Sequence, residues 1–261
     1  MITWDINYKV IDFHTHMGLE YCLYYPDHDA DSMVKTMDEN NIEFIVCAPC
    51  EDLFDGSSER IQITSAMKKY PAQIRGYYCV NPILGVDTNE IRAAFRENPG
   101  YVGLKFLPDY HRTELTNPVY APAMELANEH HMLVLSHTWG VSMNGESCNS
   151  ADKVIGILER YPNITFVMGH SIQGQVDDAI SIAKQYPNAY LDLCDTCRLN
   201  GVVEKMVREV GAEKIVFGTD APMQSHLFQM GCVLGAKISD NEKKLILRDN
   251  ALRILKTVGR P

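Results

Sequence analysis

Four fragments carry the side chains able to do chemistry: Asp12-Phe13-His14-Thr15-His16, Leu135-Ser136-His137, Met168-Gly169-His170 and Gly218-Thr219-Asp220. Imidazole nitrogens and carboxylate oxygens are ordinary ligands of divalent ions, and both groups also take up and return protons. His14 and His16 stand two residues apart. On an extended strand their rings share a face and can reach one ion at about 2.0–2.1 Å. Asp12 has the same parity, one pleat deeper, which suits it to orient a ligand. Alone, the pair reads as two hydrogen-bonded core histidines. With His137, His170 and Asp220 ending three further apolar runs, it reads as the site of a metal-dependent enzyme. Three imidazoles and a carboxylate then supply four ligands, or three ligands and a proton shuttle.

These residues converge only if their strands run side by side in one direction, and the hydrophobic periodicity predicts that they do. Strand-like runs alternate with helix-like ones: Val10–His14 and Asp29–Asn40, Phe44–Cys47 and Ser57–Lys69, Ile74–Val80 and Thr88–Asn98, Tyr101–Phe106 and Pro118–His130. Then come Leu133–His137 and Asp152–Tyr161, Thr165–Met168 and Gln175–Tyr186, Ala189–Leu193 and Gly201–Val210, Ile215–Gly218 and Asp240–Lys256. Eight such units predict a single α/β domain over 1–261, a (β/α)8 TIM barrel with its site at the C-terminal strand ends. Tyr-Pro recurs as Tyr70-Pro71, Tyr161-Pro162 and Tyr186-Pro187 between a helix and the next strand. Proline cannot extend the helix and biases the preceding tyrosine away from α geometry. Helix-to-strand joints are short. Strand-to-helix segments are long at Met17–His28, Leu107–Asn117, Thr138–Ala151 and Ala221–Ser239, where barrel active sites are built.

The chain has 261 residues, 46% of them hydrophobic, and a formal charge of −10 from 34 acidic and 24 basic side chains. That sign argues against nucleic acid as a partner. No run of eighteen residues lacks a charge, so a membrane partner is not expected. The first residues show no basic region followed by an apolar run, and eight cysteines then point to reduced thiols in a cytoplasm. Two C-x-x-C pairs, Cys47/Cys50 and Cys194/Cys197, are read as small buried hydrophobes rather than a thiolate site. Met33 and Met37 are core packing, Lys243 and Lys244 a solvated face, and His28, His130, His131 and His226 surface residues.

The ordered set of motifs resembles the amidohydrolase superfamily, in particular its amidohydrolase-2 branch. It comprises DFHTH, Val80-Asn81-Pro82, Gly103-Leu104-Lys105-Phe106, LSHTW, GHS, FGTDAP and the terminal Asn250–Leu255. The resemblance implies one divalent ion, usually zinc (manganese or another first-row metal is compatible), held by His14, His16, His137 and Asp220. It implies His170 as an acid/base beside the ion, with Asp220 collecting the proton of an ion-activated water. In binuclear members a lysine at the end of the fourth strand is carbamylated. Lys105 is read instead as a substrate-anion contact or salt bridge. Arg112 could clamp a carboxylate and Trp139 could stack on a planar substrate. Tyr110, His111 and Arg198 are weaker candidates.

The expected activity is hydrolysis of a small lactone or amide, by attack of a metal-activated water. The alternative on the same residues is nonoxidative decarboxylation of a small unsaturated or aromatic acid. Loops that look modest for a decarboxylase tilt the expectation toward hydrolysis. Metal-dependent deoxyribonucleases of the superfamily carry a glutamate on the fourth strand, where this chain has Lys105. A noncatalytic barrel is disfavoured by five intact site residues. A homo-oligomer is compatible with all of this.

Overall fold

A computed structural model describes residues 6–19, 25–55, 60–141 and 147–260. Eight parallel strands run in the order β1 to β8 around a nearly closed barrel. They are Val10–Met17, Ile42–Pro49, Ile74–Val80, Tyr101–Phe106, Leu133–Trp139, Thr165–Gln173, Ala189–Asp192 and Ile215–Val216. Helices follow them: α1 Ala30–Glu39, α2 Ile61–Lys69, α3 Thr88–Glu97, α4 Ala121–Glu129, α5 Ala151–Arg160, α6 Val176–Gln185 and α7 Val202–Val210. After β8 come α8 His226–Gly235, α9 Asp240–Lys244 and α10 Asn250–Thr257, the last two joined by a π-helical turn. The fold is the (β/α)8 barrel that the alternation predicts. Ser57–Glu59, Cys22, and parts of the loops Met17–His28 and Thr138–Ala151 lie outside the described residues.

Local chemistry explains the joints. Asp29 accepts hydrogen bonds from the Asp31 and Ser32 amides and so caps α1, and Ser239 with Glu242 forms a capping box on α9. Tyr70, Tyr161 and Tyr186 are the residues at which α2, α5 and α6 stop, each in non-helical geometry before its proline. α8 lies inside Ala221–Ser239, where the periodicity predicts a long loop. Its Gly-rich, nearly uncharged sequence lacks the amphipathic contrast by which the other helices were recognised.

Two apolar layers hold the barrel. Ile11, Phe13, Phe44, Val46, Tyr77, Leu135, Val167 and Val216 fill its interior, closed below by Ile254 and Leu255 of α10. Ile42, Ile45, Leu104, Phe106, Val134 and Phe166 face outward against the helices. Met33 and Met37 of α1 belong to that outer layer, as core packing requires. Asn250 donates to the carbonyls of Ala212 (2.8 Å) and Ile215 (2.7 Å), tying α10 to the start of β8.

β8 is short, so the barrel closes through the segment that follows it. Phe13 donates to the Phe217 carbonyl (2.8 Å) and His16 to that of Ala221 (2.8 Å). The Thr219 and Asp220 amides both donate to the His14 carbonyl, at 3.1 and 2.9 Å. The β1/β8 seam is thus made by the residues that carry the chemistry.

One buried carboxyl strains this framework. Asp52, on the π-helical turn after β2, is 2% exposed, and neither of its oxygens has a hydrogen-bond partner. Burial pushes its pKa up to about 7, against the lowering effect of the Arg60 cation. Between roughly pH 4 and 7 the unfolded chain therefore ionises this group while the folded chain keeps it neutral, and stability falls as pH rises through that window. Asp52→Asn should raise the melting temperature at about pH 8, with the gain shrinking toward about pH 4; a gain independent of pH would contradict this account.

Candidate active site

A β-bulge decides which residues of β1 face the cavity. Asp12 pairs with outward-facing Ile45, whereas Thr15 and His16 pair with Cys47 and Ala48. Phe13 and His14 together therefore oppose Val46, and His14 and His16 both turn inward. Asp12 does not share their face, which corrects the parity argument. Its carboxylate accepts from the His14 amide (3.2 Å) and the Thr219 hydroxyl (2.5 Å) and lies 3.2 Å from His226 Nε2. His226 is accordingly a buried residue of α8, not a surface one. His28 is half-buried, while His130 and His131 are exposed as expected.

The rings of β1 are fixed from behind. His14 Nδ1 lies 2.7 Å from Asp192 Oδ2, and His16 Nδ1 lies 2.9 Å from the Ala48 carbonyl. Acceptors at both Nδ1 atoms place the protons there and leave both Nε2 lone pairs facing the cavity. Asp220 Oδ1 lies 3.3 Å from each Nε2. Lys105, fully buried one rung down β4, has its Nζ 2.5 Å from His14 Nε2. The Lys105 Nζ is thus the group that this lone pair meets.

Asp192, at the end of β7, escaped the sequence reading. Besides the His14 ring it accepts from the amides of His170 (3.1 Å) and Cys194 (3.2 Å). Burial pushes its carboxyl up to about 6 against those donors, so it is ionised at neutral pH. Two glycines make the approach possible. A Cβ on Gly218 would stand 2.6 Å from the His14 Cβ, and one on Gly169 would stand 2.7 Å from the Ser136 carbonyl oxygen.

His137 and His170 complete the cluster with ring centroids 4.7 Å apart, and His170 is 5.0 Å from His14. His170, Ser171 and Ile172 all have positive φ (62°, 47° and 49°), a strained run that turns β6. Trp139 stacks on His137 with planes 3° apart and meets His170 edge-on, while Tyr110, 53% exposed, meets His137 edge-on. Arg112 and Arg198 stand apart from this cluster. Arg112 is exposed in a left-handed turn, and Arg198 pairs with Asp195 at 2.9 Å. His111 instead bridges the Tyr120 hydroxyl and the Leu53 carbonyl.

The donor chemistry suits a divalent ion. His170 Nδ1 and Asp220 Oδ1 are buried without a hydrogen-bond partner. Among the described residues, ligand atoms of His14, His170, Cys194 and Asp220 all lie within 4.8 Å of one another. Cys194 is buried, as expected of its C-x-x-C pair, and it also stands beside these ligand atoms. Burial pushes its thiol well up, reinforced by the Asp220 and Asp192 carboxylates. Burial also holds the His14 and His137 rings well below the usual histidine value, reinforced by Lys105 and His170 respectively. Burial alone would raise the Asp220 carboxyl, but His170, His14 and His16 hold it well below the usual carboxylate range.

Fold and site together define an amidohydrolase-type barrel, with an imidazole–carboxylate cluster at its C-terminal mouth. The chain belongs to the amidohydrolase family of the amidohydrolase-2 type: a family profile described as Amidohydrolase matches residues 11–257. Among solved structures it is similar to an uncharacterized TIM-barrel protein from Bordetella bronchiseptica, at 19% identity and a TM-score of 0.77 over 96% of this chain and 99% of that one. It is also similar to a 2,6-dihydroxybenzoate decarboxylase complexed with 2,6-dihydroxybenzoate, at 14% identity and 0.74 over 96% and 99%. A third is a dihydroxybenzoic acid decarboxylase from a Polaromonas species with bound manganese and the inhibitor 2-nitroresorcinol, at 17% and 0.74 over 95% and 97%. Comparison with curated proteins finds no significant match. No described helix is long and apolar enough to cross a membrane.

Nitrogen-15 spectra of the metal-free protein at about pH 6 should show His14 and His137 as neutral rings, with the His14 proton on Nδ1, because burial disfavours the charged form. A charged His14 would overturn the assignment of its free lone pair to the cavity.

Proposed function

We propose that this chain is a nonoxidative, metal-dependent decarboxylase of a small unsaturated or aromatic acid, built as one catalytic domain over 1–261. The observation that carries the reading is Lys105: a fully buried lysine with its Nζ 2.5 Å from His14 Nε2, beside the cluster. Decarboxylation needs the carboxylate held in one pose, and a preorganised cation on the cavity floor does that. A lactone or simple amide brings no anionic group for such a cation to hold. The decarboxylases among the similar structures support the same direction. The likeness runs over 97–99% of their chains, so loop size is no argument for hydrolysis.

In this reading His14, His16, His137 and Asp220 hold one divalent ion, zinc first, with manganese or another first-row metal as the alternative. When bound, the ion supplies Lewis acidity, drawing negative charge from the acid's carboxylate or neighbouring oxygen. Asp192 and the Ala48 carbonyl keep the two Nε2 atoms of β1 aimed inward. Trp139 and Tyr110 flank a planar substrate, and Lys105 binds its carboxylate. His170 delivers a proton from its ring to the carbon that bears the carboxylate. The new C–H bond forms, the bond to the carboxyl carbon breaks, and its electron pair restores the unsaturated system as carbon dioxide leaves. Arg112, exposed at the rim, steers the anion inward rather than clamping it.

Protein purified without added metal should contain one first-row ion per chain by elemental analysis. His137→Ala should lose it. His170→Ala should keep it while turnover drops about 10²–10⁴-fold, and equal metal loss in both variants would show that His170 is a ligand.

Incubation with hydroxybenzoates, unsaturated acids, lactones and small amides should release carbon dioxide only from an acid. Lys105→Met should lower kcat/KM for that acid about 10–100-fold, as loss of a charged hydrogen bond does. Ring or amide opening without carbon dioxide would overturn the decarboxylase reading in favour of hydrolysis.

A further inference from the structure

The proposed reaction leaves one group at the centre without a role. Cys194 lies two residues beyond Asp192, fully buried, where a backbone bond to Asp192 Oδ1 holds it at the cavity wall. Its sulfur is within 4.8 Å of the ligand atoms of His14, His170 and Asp220. A second observation points to a ligand in the same space: His170 Nδ1, buried and unpartnered, belongs to that group of atoms. The other thiol of the C-x-x-C pair faces elsewhere, with Cys197 Sγ 3.3 Å from Gln229 Oε1.

Donors at about 2.0–2.3 Å from a tetrahedral ion stand about 3.5 Å apart. His14, Cys194 and Asp220, whose ligand atoms lie within 4.8 Å of one another, close on one ion by small side-chain rotations, with His170 beside it. A bound dication ionises a coordinating thiol outright, releasing its proton. Thiolate is also the donor that separates zinc and cobalt from manganese, which favours oxygen.

We propose that Cys194 supplies a thiolate ligand beside His14 and Asp220, and that this sulfur makes the centre select zinc or cobalt over manganese. The inference rests on the reading of this cluster as a metal centre, and cobalt(II) tests the two separately. Visible ligand-field bands report that cobalt is bound; a near-ultraviolet sulfur-to-cobalt charge-transfer band reports a thiolate on it.

The wild-type protein loaded with cobalt should show both sets of bands. Cys194→Ser and Cys194→Ala, checked for native circular dichroism, should keep the visible bands and lose the near-ultraviolet one. Competition against a chelator should show the zinc-over-manganese preference falling at least about tenfold in both variants. Visible bands without the near-ultraviolet band in the wild type would overturn the thiolate while leaving the metal centre intact. A near-ultraviolet band that survives both substitutions would assign it to another cysteine and equally overturn the proposal. Failure of the wild type to take up cobalt or zinc would overturn the metal-centre reading and this inference with it.

Discussion

The hydrogen bond between His14 Nδ1 and Asp192 Oδ2, 2.7 Å long and wholly buried, is the constraint on which the rest of the mouth depends. It fixes a tautomer, and the tautomer fixes which lone pair faces the cavity. It spans from β1 to β7, so it also sets the spacing across two strand ends. The same carboxylate receives the amides of His170 and Cys194 and thereby orders both the left-handed turn of β6 and the start of the loop after β7. Three elements take their positions from one side chain.

Charge balance explains how so many ionisable groups tolerate burial together. Lys105, Asp192, Asp220 and the Asp12–His226 pair lie in or against the barrel, and an unpaired charge there would be costly. Each carboxylate meets several N–H or imidazole groups, and burial lowers Lys105 from the usual lysine value. The cluster suits both an ion and an anionic substrate because opposite groups already alternate: Asp192 behind His14, the imidazoles between, and Asp220 and Lys105 at their cavity-facing nitrogens. Preorganisation of this kind needs little rearrangement when charge develops during a reaction.

Much of this was legible in the sequence because barrel geometry turns periodicity into position. Alternating runs gave eight units, and a histidine or aspartate at the end of an apolar run has only one place to go in such a barrel. What periodicity could not show was the bulge at Phe13–His14. Strict alternation put Asp12 with the histidines, whereas one extra residue turned it outward to His226. Asp192 was missed because a lone aspartate in Leu-Asp-Leu carries no metal-like spacing, although a charge ending an apolar strand was a usable signal. Cys194 was hidden by its own chemistry, since a thiol just beyond a strand-like run looks like core. The strand and helix alternation placed Lys105 correctly; its contact with His14 needed three dimensions.

The short eighth strand gives the barrel an unequal circumference. Seven of its joints are ladders between strands, but the eighth is stitched by backbone bonds around His14, His16, Thr219 and Asp220. A ligand that touches both His14 and Asp220 therefore also works as a clasp across the seam. Its binding free energy adds to the stability of the closed barrel, because a molecule that grips only the closed form draws the equilibrium toward it. Sealing the cylinder and assembling the reaction site are then one event, and the joint that is not a strand ladder is the one that the chemistry holds shut.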